Sequence, residues 1–188
     1  MSIVHKKQRE GFFIYTLGMS IPTHVVFLRG INVGGNKKVP MATLKKVLES
    51  LGYINVKTLL ASGNVLLSAG KDSPNIIKKK IENAIVKEFG FGSDVIVRTV
   101  DQMQQLMKSD PFKNIKVDEH TRLYVTFLSE KPKSSLAIPY ASPEKDFQIL
   151  RVTDTEVCSV LQLNPKKKST DAMNVLEKEF GKNSCRKG

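Results

Sequence analysis

The chain has 188 residues, of which 40% are hydrophobic, and it carries 30 Lys and Arg against 18 Asp and Glu, a net charge of +12. This length suffices for a hydrophobic core without disulfide or metal staples. The two cysteines, Cys158 and Cys185, and the three scattered histidines have no spacing typical of a disulfide framework or a metal site. The composition therefore predicts a cytoplasmic protein that needs no metal or other cofactor.

The positive charge is concentrated in the first half. Residues 1–94 contain 14 Lys and Arg against 6 Asp and Glu, whereas residues 95–188 contain 16 against 12. Such an excess favours a phosphorylated small molecule or nucleic acid as partner, although lysines on helix faces also promote solubility. The apolar run that follows the basic residues near the N-terminus is too short to span a bilayer, and no membrane partner is expected. Residues 1–22 are predicted to be a dispensable or disordered N-terminal extension, and 1–18 are hypothesised to stem from an upstream start codon.

Hydrophobic periodicity in the first half predicts the order β-α-β-β-α-β. The predicted strands cover residues 24–28, 56–60, 65–67 and 95–100. The first helix begins at Pro40 and ends at Gly52, and the second begins at Pro74 and ends at Gly90. This order is that of a ferredoxin-like plait, in which the strands are arranged 4-1-3-2.

The second half predicts the order β-α-β-β-α. Its strands are expected at residues 122–128, 147–152 and 157–163, with a short helix within 131–140 and a final helix over 172–180. The fold class is thus α+β, with two ferredoxin-like (βαββαβ and βαββα) plait subdomains. The predicted domains are the extension at 1–22, a ferredoxin-like subdomain at 23–110, a second α+β subdomain at 111–181 and a truncated C-terminal tail at 182–188.

A glycine-rich basic loop follows the first strand. In a plait, this loop, the turn at residues 62–64 and the loop at residues 90–94 meet at one edge of the sheet, beside the N-terminus of the first helix. Glycine backbone, free N–H groups and positive charge favour anion binding. The predicted ligand-binding residues, expected to face one shared space at this edge, are Arg29, Asn32, Gly34, Gly35, Asn36, Lys37, Lys38, Ser62 and Asn64.

Known catalytic and nucleotide-binding motifs do not match this loop. A phosphate-binding Walker motif needs lysine where Asn36 stands, and no GxGxxG pattern occurs. RNA recognition on the sheet would need aromatic residues on the first and third strands, but only Phe27 is present. No catalytic residue and no metal ligand are predicted.

Two stretches resemble one protein family. They read HVVFLRGINVGGNKKVPMATLKKVLESLGY over residues 24–53 and KTLLASGNVLLS over residues 57–68, and IVRTVDQM over residues 96–103 also fits. These residues resemble the domain of unknown function 1697 family, found mainly in bacteria. The resemblance implies a compact α+β protein of two plait-like subdomains and implies no settled activity. Members usually continue with an Arg-Asn-Trp-like motif; this chain has no tryptophan, which suggests a truncated or divergent C-terminus.

Three functions stay open at this point. The first is a binding module for a phosphate-bearing ligand, either a nucleotide or nucleic acid, at the glycine-rich edge. The second is an enzyme acting on a small anionic or phosphorylated substrate, with Arg29 as the electrostatic clamp. The third is a protein-interaction module without a ligand, which a flat edge and a fully paired Arg29 would favour.

Overall fold

The computed structural model describes residues 21–35, 37–59, 61, 63–165, 170–181 and 185–187, the last three by their backbone alone. Contacts divide the chain into a first unit that ends at Asp101 and a second that begins at Gln102. Residues 102–110 thus group with the second unit, whereas the predicted boundary assigns them to the first. Residues 1–20 of the predicted extension lie outside the described residues, but the carbonyl of Ile21 accepts a hydrogen bond from Ser68 (3.1 Å).

The first unit contains the six elements that the sequence predicts. They are β1 (His24–Leu28), α1 (Met41–Ser50), β2 (Ile54–Leu59), β3 (Asn64–Ser68), α2 (Pro74–Phe89) and β4 (Val95–Thr99). The four strands form one antiparallel sheet in the order β2-β3-β1-β4. This is the predicted strand order, and it places β1 between β3 and β4.

Helix α2 is held by a stripe of isoleucines. Ile77, Ile81 and Ile85 recur every fourth residue and are fully buried, so they form one face of the helix. They belong to the same core as the inward residues of the strands, including Val26 and Val65. Burying each such side chain stabilises the fold by about 1.5–3 kcal/mol. The helix ends at Gly90, whose φ of 77° is the left-handed conformation that glycine adopts without strain.

The second unit carries a five-stranded antiparallel sheet. Helix α3 (Val100–Lys108) spans the division between the units and is followed by β5 (Thr121–Phe127), β6 (Tyr140–Ala141), β7 (Phe147–Val152), β8 (Glu156–Gln162), α4 (Ala172–Phe180) and β9 (Cys185–Lys187). The strand order is β6-β7-β8-β5-β9. Strand β9 lies within the predicted tail at 182–188 and pairs with β5. None of the helices in the part of the chain that the structure describes has the length and hydrophobicity of a membrane span.

The predicted short helix within residues 131–140 is wrong. The segment contains no helix and ends in the short strand β6, so the second unit does not have the order β-α-β-β-α. Pro132 and Pro139 each disfavour a helical residue before them, and the stretch between them is too short to offset the cost of helix nucleation. The Ser134 hydroxyl accepts the backbone N–H of Leu136 (3.1 Å), a local bond that competes with helix formation.

The core of the second unit lies between its sheet and helix α4. Phe147, Ile149 and Val157 from the sheet are fully buried with Leu176 of the helix. Asp171 caps this helix, because its carboxylate accepts the backbone N–H groups of the next residues, Met173 and Asn174 (both 3.1 Å), and so satisfies two otherwise unpaired donors. The apolar spacing of the helix predicted its position.

Asp118 organises the turn that leads into β5. Its Oδ1 accepts hydrogen bonds from the hydroxyl of Thr121 (2.6 Å), the side chain of Gln162 (3.1 Å) and the backbone N–H of His120 (3.0 Å). These bonds, that from Thr121 first, lower the pKa of Asp118 to about 2. No pattern in the sequence assigns this carboxylate a role, because only the fold brings Gln162 beside it.

We expect an NMR titration to give Asp118 a pKa of about 2, below the ordinary value of 3.8. Since the folded-state pKa is depressed, the stability that this carboxylate contributes is present above the ordinary value and is lost as the pH falls through about 2. Thr121→Val removes the strongest donor and should raise the pKa of Asp118. An ordinary pKa in the wild-type protein would contradict this assignment.

Candidate functional site

Three connections of the first unit meet at one edge of its sheet. The backbone N–H of Leu28 donates to the carbonyl of Gly63 (2.9 Å), and the N–H of Arg29 donates to the carbonyl of Asp94 (3.0 Å). The hydroxyl of Ser93 donates in turn to the carbonyl of Arg29 (2.9 Å). The end of β1 is therefore bonded on one side to the turn before β3 and on the other to the loop before β4, as the strand order predicts.

Asn32 closes the glycine-rich loop on itself. Its side-chain amide donates to the carbonyls of Val39 (3.0 Å) and Ala61 (2.8 Å), and its Oδ1 accepts the N–H of Val39 (2.8 Å). The residue adopts a φ of 55°, a left-handed conformation that asparagine tolerates better than most residues. Both amide donors are used within the protein, so Asn32 shapes the loop and does not present its side chain to a ligand.

Lys37 links the glycine-rich loop to the loop before β4. Its ammonium donates to the carbonyl of Gly92 (2.9 Å) and lies 5.8 Å from the centre of the Phe91 ring, a cation–π distance. The backbone carbonyl of Lys37 accepts the N–H of Asn32 (3.1 Å). The ammonium is thus held over the loop before β4 by contacts that a competing anion could replace.

A groove of about 760 Å³ lies beside these loops, within the size range of small-molecule sites. One wall comes from the two loops, and the other comes from helix α2. The lining residues are Arg29, Gly30, Lys37, Lys78, Glu82, Asn83, Val86, Gly92, Ser93 and Asp94.

The groove holds three cations and two carboxylates. Arg29 pairs with Asp94 at 3.7 Å, and the Lys78 ammonium pairs with Glu82 at 3.1 Å. All four side chains are at least a quarter exposed, and exposed pairs of this kind contribute only about 0–1 kcal/mol each. Glu82 also accepts the N–H of Val95 (3.1 Å), which fixes it at the start of β4. The groove therefore carries a net positive charge. Its two ion pairs cost little free energy to break when a ligand replaces one of the partners.

The predicted site residues do not all face one space. Arg29 and Lys37 line the groove, whereas the side chain of Asn32 is committed to the loop and Asn64 does not line it. The Oδ1 atom of Asn64 is buried and has no hydrogen-bond partner among the described residues. Three further predicted residues are exposed and do not line the groove: Gly34, Gly35 and Lys38. Asn36 and Ser62 lie outside the described residues.

Comparisons with known proteins place the chain in a family. The model of the family described as "Protein of unknown function (DUF1697)" matches residues 21–158. The chain belongs to this family. No curated protein matches it.

A solved structure supports the fold of this DUF1697 protein. The chain is similar to the conserved bacterial protein SP0830 from Streptococcus pneumoniae, with 18% sequence identity and a TM-score of 0.66. The match covers 89% of this chain and 93% of the other. At this identity the similarity establishes the mixed α/β fold alone.

Sequence reasoning about the DUF1697 protein missed the helical wall of the groove. Lys78, Glu82 and Val86 each follow a buried isoleucine of α2 by one position, so they form a stripe at the border of the core face. Residue type alone favours a solvated helix face for the lysine run 78–80. Their spacing of four residues is the signal in the sequence that they share one side of the helix. Only the packing of α2 beside β4 makes that side of the helix a wall of the groove.

Shifted pKa values occur outside the groove in this DUF1697 protein. Burial lowers the pKa of His24 and raises the pKa of the Cys158 thiol. Burial, with the neighbouring Asp72 carboxylate, raises the pKa of Tyr53 to about 12. Burial also acts to raise the pKa of Asp146, but hydrogen bonds from Thr170 and Ser142 outweigh it and lower that pKa. Each of these shifts has its cause in burial or in hydrogen bonds and charges of neighbouring residues.

Proposed function

We propose that this protein binds a small phosphate-bearing ligand in the groove between the glycine-rich loop, the loop before β4 and helix α2. The observation that carries the proposal is the convergence of three cations on one groove: Arg29 and Lys37 from the two ends of the connection between β1 and α1, and Lys78 from α2. Arginine and lysine side chains that reach one space from different directions are well suited to the several oxygens of a phosphate group.

The existing contacts of these cations favour exchange with a ligand. The Arg29–Asp94 and Lys78–Glu82 pairs are partly exposed, and Lys37 is held by a neutral carbonyl. Hydrogen bonds between a charged donor and a phosphate oxygen are stronger than bonds to a neutral carbonyl. A phosphate can therefore compete for all three side chains without the need to break a buried ion pair.

A small ligand fits this site better than a nucleic acid bound on the sheet. Base stacking on a sheet requires exposed aromatic rings, but Phe27 is only 5% exposed. A groove of about 760 Å³ matches a nucleotide or sugar phosphate in size. The pairing of Arg29 with Asp94 is the feature that favours the alternative, a protein-interaction module without a ligand.

We also propose that the first unit is a ferredoxin-like plait. Its β-α-β-β-α-β order and its β2-β3-β1-β4 antiparallel sheet support this classification. The proposal does not extend to the second unit, which lacks a helix between β5 and β7.

Neighbouring lysines provide matched controls for the binding proposal. Lys37 and Lys78 line the groove, whereas Lys38 and Lys79 follow them directly and do not. We expect Lys37→Gln and Lys78→Gln each to weaken ligand binding by about tenfold or more, since each loses a charge-assisted hydrogen bond. Lys38→Gln and Lys79→Gln should change it by less than about twofold.

The measurement is a thermal-shift screen with ATP, glucose 6-phosphate and a short oligonucleotide, followed by calorimetry with the probe that raises the melting temperature. Binding should weaken as salt is added. Equal losses in groove variants and neighbour variants would point to nonspecific attraction by the basic surface. A response to the oligonucleotide alone would transfer the function to nucleic acid, and no response to any probe would refute the proposal.

A further inference from the structure

We propose that the groove selects phosphate ligands that also carry an amino group, an inference that rests on the proposed phosphate site. The observation behind it is that the groove contains an ammonium-binding set as well as cations. Gly92 and Asp94 line the groove and are acceptors in one short loop. Phe91 directly precedes Gly92, and its ring, although not part of the groove lining, faces the Lys37 ammonium. The acceptor carboxylate of Glu82 lies on the opposite wall.

The protein's own lysine already occupies part of that set. The Lys37 ammonium donates to the Gly92 carbonyl at 2.9 Å and lies 5.8 Å from the centre of the Phe91 ring. Both contacts are those by which proteins recognise an alkylammonium group, namely a carbonyl acceptor and an aromatic face. If the Lys37 side chain binds a phosphate instead, the Gly92 carbonyl and the Phe91 ring become available to an ammonium group of the ligand.

The charges of the groove lead to the same ligand. A phosphate that binds Arg29 and Lys78 replaces the carboxylates with which they pair. The carboxylates of Asp94 and Glu82 then face the ligand without a cationic partner from these two pairs. A simple phosphate leaves that repulsion uncompensated, and a polyphosphate increases it. An ammonium group on the ligand supplies the missing positive charge and can donate to Asp94 and to the Gly92 carbonyl. The three cations and two carboxylates of the lining thus match a dianionic phosphate joined to one ammonium.

Phosphoethanolamine and ethyl phosphate are the matched probes, because they differ essentially by the amino group. Isothermal calorimetry with the full chain at constant pH and salt should give at least about tenfold tighter binding of phosphoethanolamine, the gain expected of one charge-assisted hydrogen bond. In Asp94→Asn that preference should fall below about threefold, while ethyl phosphate should bind more tightly than to the wild-type protein because the repulsive carboxylate is gone.

The outcomes separate this inference from the proposal on which it rests. Equal affinity of the two probes for the wild-type protein, or an unchanged preference in Asp94→Asn, would overturn the selectivity for amines and leave the phosphate site standing. If neither probe binds and the phosphates of the earlier screen also fail, the phosphate site itself is refuted. A second variant, Phe91→Leu, removes the aromatic face and keeps the apolar volume; it should reduce the preference as well. Circular dichroism and the melting temperature establish that each variant is folded.

Discussion

Gly63→Ala is expected to lower the free energy of unfolding by about 2–5 kcal/mol, combining backbone strain with overpacking. Gly63 precedes β3 with a φ of 77°, a left-handed conformation that residues with a Cβ atom rarely adopt. A Cβ atom placed there would lie 2.9 Å from the Cβ of Leu28 and 2.7 Å from the Cδ1 of Ile31. The Ile31 methyl can move, but the Cβ of Leu28 moves only with the backbone of β1.

Gly35→Ala is the matched control for this substitution. Gly35 has a nearly identical φ of 78°, but a Cβ atom there would have no neighbour within 4 Å. Its replacement should therefore cost only the backbone term, about 1–2 kcal/mol. Urea denaturation of both variants measures the difference, which isolates the contact with Leu28 and Ile31. Equal losses of stability would mean that β1 yields freely and would contradict the tight approach of the turn.

Asn32→Ala is expected to destabilise the protein by about 3 kcal/mol. The substitution removes two bonds donated by the amide and leaves the N–H of Val39 without its acceptor, although Val39 is only 2% exposed. A buried N–H without a partner costs about 1–3 kcal/mol by itself. The backbone N–H of residue 32 donates to the carbonyl of Lys37, so a change in the loop at position 32 also moves Lys37. The variant should therefore bind phosphate ligands more weakly than the wild-type protein.

Two further variants test the cause. Asn32→Gly removes the same side chain but accepts the φ of 55°, so it should be more stable than Asn32→Ala by about 1 kcal/mol. Asn75→Ala, at an exposed position early in α2, should change stability by less than about 0.5 kcal/mol. Hydrogen exchange at the Val39 amide reports the bond directly, and unchanged protection of that amide in Asn32→Ala would refute the proposed role.

Local signals in the sequence were sufficient for most of the first unit. The isoleucines at 77, 81 and 85 can be buried together only on a helix, and Gly90 ends that helix by its left-handed conformation. The order of strands and helices then left few sheet arrangements open, because short connections favour neighbouring antiparallel strands. The convergence of three loops at the end of β1 followed from that topology.

The same kind of reasoning failed where local signals were weak. Between Pro132 and Pro139 the sequence reads Lys-Ser-Ser-Leu-Ala-Ile, and the short helix is predicted there only because two prolines flank the stretch. The chain forms no helix there, since so short a segment gains too few hydrogen bonds to offset helix nucleation. Strand β9 was likewise not predicted. Its pairing with β5 is a long-range contact, and a segment of three residues is too short to show a periodic pattern in the sequence.

The candidate site shows the division most clearly. The residue types of the glycine-rich loop indicated an anion site, and Arg29 and Lys37 do line the groove. Whether Asn32 would face a ligand or its own loop depended on where the carbonyls of Val39 and Ala61 lie, and these come from different segments. The partners Lys78, Glu82 and Asp94 are distant from the loop along the chain. Composition and spacing in the sequence determine the positive charge of the site and the elements that carry it. The direction of each side chain depends on packing between segments that are distant along the chain. Only the folded chain therefore shows that the carboxylates of Glu82 and Asp94 face the same groove as the cations.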